Sequence, residues 1–238
     1  MKCLRICCGV ERSKPAWDFR RGVVSGVIAL ALSGCVGDGG VQRLDSRDQA
    51  RLRHDPSWTR EQCEGEISRR LACRRIDPRR EGNVRVHYSE SFSEARASLS
   101  RDDLLCLLTI DELIRGPGVA GELLRQAKVD REDRSREYGG VLDAGGVTAF
   151  ASDEGESGAD RAFVAPRAMF EVDAVAHYHF HAQAENNSEY AGPSAGDLEY
   201  AARFGRVCVV FTSVSRSKLD ADVYFPSGVV VDLGEVGE

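Results

Sequence analysis

The segment AHYHFHAQ, residues 176–183, carries three of the chain's five histidines, His177, His179 and His181, at alternate positions. In an extended strand successive side chains alternate faces, so these imidazoles share one face with neighbouring Cα atoms about 6.6 Å apart. Two imidazoles at that spacing can converge on one ion at about 2.1 Å, the length of a zinc–nitrogen bond. Two ligands leave the site incomplete, and a catalytic zinc needs a third ligand and a position for water. Asp197 follows His181 by 16 residues, at the front of the helix-like run GDLEYAARF, with Ser194 three residues before it. A strand ending in His-x-His, a loop, and a Ser-x-x-Asp helix start would return a carboxylate to the histidines. Glu137 opens EYGGVL, 42 residues before His179, on a candidate neighbouring strand.

Together, Glu137, HFH (179–181) and SAGD (194–197) resemble the signature of the JAB/MPN (JAMM) zinc metalloprotease family. REYGGVL is similar to that family's Glu-x-Gly-Gly-x-Leu strand, and VAHYHFH to its His-x-His strand, with His177 where an aromatic residue often sits. The resemblance covers about residues 119–238. It implies hydrolysis of peptide or isopeptide bonds, with a peptide or protein as substrate. By the family pattern His179, His181 and Asp197 would hold Zn²⁺. Glu137 would accept the proton of the metal-bound water, and Ser194 would hydrogen-bond the oxyanion. Two departures stand out. Ala182 replaces the usual Pro after the second His, and the stretch from His181 to Asp197 is longer by about five residues, placing ENNSEYAG near the cleft.

Other readings of the same residues remain open. His177 and His179 could form the ligand pair instead. Ser194 and Asp197 also make a helix capping box, which accounts for them without a metal. His179, His181, Glu185 and Gly192 resemble part of a cupin motif, but Asp173 stands where that motif has Gly, and no His follows His181. The His-x-Glu and Pro-Cys-x-x-Cys pattern of zinc deaminases is absent. A non-catalytic, envelope-anchored binding module on a JAB fold is the alternative from another functional class.

The elements that must position these residues follow from pattern. Ser57 to Arg75 has apolar residues at helical spacing (Trp58, Ile67, Leu71), with Ser57 as a candidate cap. VRVHY, 84–88, is strand-like. Residues 89–115 read as two helices ending at Gly116–Gly118, and a further helix runs from Val119 to about Lys128, before the charged connector VDREDRSR. From Glu137 the character turns to strand. EYGGVLDAGG and VTAFAS form a hairpin, RAFVAP a short strand, and FEVDAVAHYHFH a buried strand. PSAGDLEYAARFG is a helix, and RVCVVFTSV, ADVYFPSG and VVVDLG close the chain as an antiparallel meander. The expected class is α+β: helices first, then a mainly antiparallel sheet with one inserted helix.

Bulk properties bound the function. The chain has 238 residues, 29% of them charged and 7% aromatic, with a formal net charge of −6. That balance gives no reason to expect a nucleic-acid partner. Arg20 and Arg21 precede an 11-residue apolar run, Gly22 to Leu32, too short to span a membrane but suited to a signal-peptide core. The run ends in LSGC, which resembles the lipobox of bacterial lipoproteins. That resemblance implies cleavage before Cys35, lipid on its thiol, and residence in the bacterial cell envelope. Residues 1–34 are then a signal peptide, 35–58 a tether, 59–118 a helical region and 119–238 the metal-hydrolase domain. Removing the signal takes away six Lys/Arg and two Asp/Glu and leaves a net charge of about −10, so acyl chains rather than charge would hold the protein to lipid. Export favours disulfides among Cys63, Cys73, Cys106 and Cys208, in one of three connectivities.

Overall fold

A computed structural model describes residues 44–74, 90–153 and 163–237. The signal segment 1–34, the lipobox Cys35 and the strand-like VRVHY lie outside the described residues.

Among the described residues five helices precede the sheet: α1 (Ser46–Arg53), α2 (Arg60–Leu71), α3 (Phe92–Ala95), α4 (Arg101–Ile114) and α5 (Val119–Glu132). The strands are β1 (Tyr138–Asp143), β2 (Gly146–Ala151), β3 (Ala176–His181), β4 (Cys208–Ser215), β5 (Lys218–Tyr224) and β6 (Val230–Gly237), and α6 (Ala195–Phe204) stands between β3 and β4. The sheet order is β2-β1-β3-β4-β5-β6. Every pairing is antiparallel except β3 with β4, the pair that α6 connects. The α+β class expected from sequence is the class observed.

Alternation along the strands sorts the sheet into two faces. Tyr178, Phe180, Val209, Phe211, Leu219, Ala221 and Val223 point to one face and join the buried residues of α4 and α5 in the main core. His177, His179, His181, Cys208 and Val210 point to the other. There Ala201 of α6 packs on Cys208, Val210, Tyr224 and Val230. Polar residues of β3 are thus separated from the main core by the thickness of one strand.

The helices start where their side chains can satisfy open backbone N–H groups. Thr59 and Gln62 form a reciprocal capping box on α2, so the cap lies two residues after the expected one, Ser57. Ser100 and Asp103 do the same for α4. Helix α4 is the centre of the core: Leu104, Leu105, Leu107, Leu108 and Ile110 are all buried. Gly118, at φ 79°, turns the chain from α4 into α5.

Several sequence expectations are revised. The stretch 35–58, expected as a tether, contains α1, which lies on α4 through buried Ala50 and the Arg47–Asp103 ion pair at 2.9 Å. One buried apolar residue and two ion pairs, Arg47–Asp103 and Arg51–Asp102, leave no apolar periodicity to read. No structural division falls at residue 118, because α2, α4, α5 and the sheet share one core. Helix α5 runs to Glu132 and absorbs half of the charged connector, since Asp130 is buried and accepts the Tyr138 N–H at 2.7 Å. The described part of RAFVAP is not strand, and FEVDAVAHYHFH is strand only from Ala176, after a 3-10 turn at Arg167–Glu171.

The expected disulfides are not formed: Cys63, Cys73, Cys106 and Cys208 are all free. Cys63, Cys106 and Cys208 are buried in separate elements, and only Cys73 is exposed. Burial raises the Cys106 and Cys208 thiols far above their ordinary range, which suppresses the reactive thiolate. Of these four, Cys73 alone is expected to react with a thiol reagent in the native protein. Peptide mapping after labelling checks this, and rapid labelling of Cys106 would contradict the core arrangement.

Candidate metal centre

Strand β3 lies between β1 and β4, where both neighbours hold its backbone. In the ladder with β1, Gly139 faces His179 and Val141 faces His177. A Cβ on Gly139 would stand 2.3 Å from the Tyr178 carbonyl oxygen and 2.8 Å from Phe163 Cζ. A Cβ on Gly140 would stand 2.1 Å from the Thr148 carbonyl oxygen. The double glycine therefore has a packing cause. It lets Phe163 settle parallel to the His179 imidazole, 6.2 Å between ring centroids.

On this face three donor groups converge. His179 Nε2 lies 3.3 Å from His181 Nε2 and 3.3 Å from Asp197 Oδ1, and His181 Nε2 lies 3.9 Å from Asp197 Oδ2. A tetrahedral ion with bonds near 2.1 Å has ligand atoms about 3.4 Å apart, so the spacing suits one zinc-sized cation. The tautomer suits it too. His181 Nδ1 is 2.9 Å from the Tyr190 carbonyl, which only accepts, so the proton sits on Nδ1 and Nε2 keeps its lone pair.

Asp197 reaches the histidines because α6 starts there. Ser194 caps the helix, its Oγ accepting the Asp197 N–H at 3.4 Å, while Asp197 Oδ2 accepts the Ser194 N–H at 2.7 Å. The capping box and the approach to the imidazoles coexist in one residue. Burial raises the Asp197 carboxyl, but the two imidazoles and the Ser194 N–H and hydroxyl outweigh it, and the carboxyl sits below its ordinary value.

Glu137 precedes β1 and is 3% exposed, buried despite its charge. Continuing the β1–β3 register brings it level with His181, on the same face. Its Oε1 accepts a hydrogen bond from Gln183 Nε2 at 3.1 Å. Beside His179 and Asp197 opens a cavity of about 310 Å³, bordered by His177, Ser194, Tyr200 and Tyr224.

His177 stands outside the three-donor group. Its Nδ1 pairs with the Tyr200 hydroxyl at 2.8 Å, and Phe170 meets its ring edge-on at 5.3 Å. Burial, and secondarily the charge of Arg206, pushes this imidazole down to about 4, so it is neutral at neutral pH. The ligand pairing of His177 with His179 is not the one the donor atoms make.

Sequence reading did not single out Phe163, Gln183, Asn187 or the Tyr190 carbonyl. Three buried carboxylates, Asp220, Asp222 and Asp232, also approach one another across β5 and β6. Alternation places them on the histidine face, but with no imidazole among them. The chain finds no match among protein-family models, curated proteins or solved structures.

Proposed function

We propose that this chain is a metal-dependent hydrolase of peptide or isopeptide bonds, of the JAB/MPN type, carried on the bacterial envelope by lipid at Cys35. The observation that carries the reading is the convergence of two imidazoles and a carboxylate at tetrahedral spacing, with a cavity against His179 and Asp197 and buried Glu137 level with His181 by strand register. His179, His181 and Asp197 would hold Zn²⁺. Bound there, the ion would polarise the scissile carbonyl and lower the pKa of a water molecule towards neutrality.

The chain's own residues supply the rest. Glu137 takes the proton from water and returns it to the leaving amine. His181, its Nδ1 proton tied to Tyr190, presents a fixed lone pair. The Ser194 Oγ uses a lone pair on the helix N–H, and its hydroxyl proton, shared with the Asp197 carboxylate in the resting site, would turn towards a developing oxyanion. Phe163 and α6 line the cavity beside the site.

Zinc analysis of the purified chain tests the reading. The wild type is expected to hold about one zinc per chain, and a His179→Ala/His181→Ala variant none. Equal metal in both proteins would end the proposal. Zinc in the wild type without cleavage of any peptide or isopeptide would favour the non-catalytic module.

A further inference from the structure

We propose that Gln183 and Asn187, on the loop between His181 and Ser194, form a positioning chain for Glu137. This inference rests on the hydrolase reading above.

The contacts run in one direction. Asn187 is buried, and its backbone N–H is fixed to the Ser213 carbonyl of β4 at 2.7 Å. Its Nδ2 donates to Gln183 Oε1 at 2.8 Å, and Gln183 Nε2 donates to Glu137 Oε1 at 3.1 Å. An ionised carboxylate only accepts, so it sets the orientation of both amides. Gln183 must turn its NH₂ to Glu137, which leaves its oxygen for Asn187, and Asn187 must then turn its own NH₂ to Gln183. Each amide is aligned only when the other and the carboxylate are in place.

The base is thereby tied to β4 through a loop. The same loop supplies the Tyr190 carbonyl that fixes the His181 tautomer. One segment therefore orients both a metal ligand and the proton acceptor. A carboxylate fixed in rotation is aimed at the proton it is to take, and a freely rotating one is not. The loop belongs to the stretch that is longer than the JAB pattern calls for, which gives the added residues a task at the site. Arg216, bonded to Glu185 at 2.6 Å, ties the loop a second time to the β4–β5 turn.

The test uses the zinc-loaded full chain and a library of quenched fluorescent peptides and ε-lysyl isopeptides. Gln183→Met keeps the length of the side chain and removes both hydrogen bonds. It is expected to lower kcat by about 10–100-fold, the range for outer-shell partners of metal sites, with KM and zinc content unchanged. Asn187→Ala should move kcat the same way by a smaller factor. Added to Glu137→Gln, Gln183→Met should cost nothing further, because a residue acting through the base has no effect once the base is gone. Unchanged kcat in Gln183→Met, or losses that multiply in the double variant, would overturn the positioning role and leave the hydrolase reading standing. A wild type that holds no zinc, or cleaves no probe, would instead overturn the hydrolase reading, and with it this inference.

Discussion

Glu137→Gln is expected to retain zinc and to lose about 10²–10⁴-fold in turnover, the usual contribution of a general base. The three donor atoms that meet are on His179, His181 and Asp197, and Glu137 is not among them. The substitution keeps size and shape at a buried position, and the amide oxygen can still accept the Gln183 N–H. Fold and metal therefore persist while the proton acceptor is lost. The comparison needs metal content and kcat measured on the same preparation. Loss of zinc together with activity would place Glu137 among the ligands, and unchanged turnover would remove it from the chemistry. The His179→Ala/His181→Ala variant gives the opposite pattern, losing zinc first, so the two variants separate base from ligands.

How much of this site was legible in the sequence depended on how local each signal is. His-x-His needs only the two-residue repeat of a strand, and Ser-x-x-Asp only the first turn of a helix, so both could be read directly. Glu137 stands just before another strand, β1, and no local pattern links it to β3. Its place came from the resemblance of EYGGVL to a known strand, and the contacts of Gly139 and Gly140 with Tyr178 and Thr148 supply the physical reason for that motif. Gln183 and Asn187 were not readable, because a loop has no period and an amide chain leaves no spacing rule. Tyr190 contributes a backbone carbonyl, which any residue could supply. Helix α1 escaped because Arg47 and Asp103, 56 residues apart, do what apolar periodicity does elsewhere. The α+β class was clear because helical and alternating patterns occupy separate halves of the chain. The parallel pairing of β3 with β4 follows from the return through α6, which a list of strands does not reveal.

Asp111→Asn is expected to destabilise the fold by about 3–5 kcal/mol, the range for breaking a buried ion pair from one side. Asp111 sits near the end of α4, buried among guanidinium groups. Its Oδ2 accepts from Arg74 at 2.8 Å, and its Oδ1 from Arg115 at 2.9 Å. Arg115 in turn donates to the Leu233 carbonyl at 2.9 Å and to the Glu235 carbonyl at 2.8 Å. One carboxylate thus links the end of α2, the end of α4 and strand β6. The amide of Asn can offer one acceptor but no charge, which leaves Arg74 and Arg115, with Arg70 at 3.4 Å, as three partly buried cations around an uncharged group. At about 2–4 °C per kcal/mol for a fold of this size, the melting point should fall by roughly 10 °C. The effect has a defined pH dependence. Burial raises the Asp111 carboxyl, but Arg74 and Arg115 outweigh it and hold its pKa below the ordinary value. The stability it contributes is therefore present at neutral pH, above the unfolded-state value of about 4, and is lost as pH falls through the depressed folded value. The wild type and Asp111→Asn should converge in stability on acidification. Helix α4 packs on the sheet face away from the histidines, so the variant should bind zinc as the wild type does while both are folded. A melting point within about 2 °C of wild type at neutral pH would mean that water, rather than Asp111, compensates the arginines.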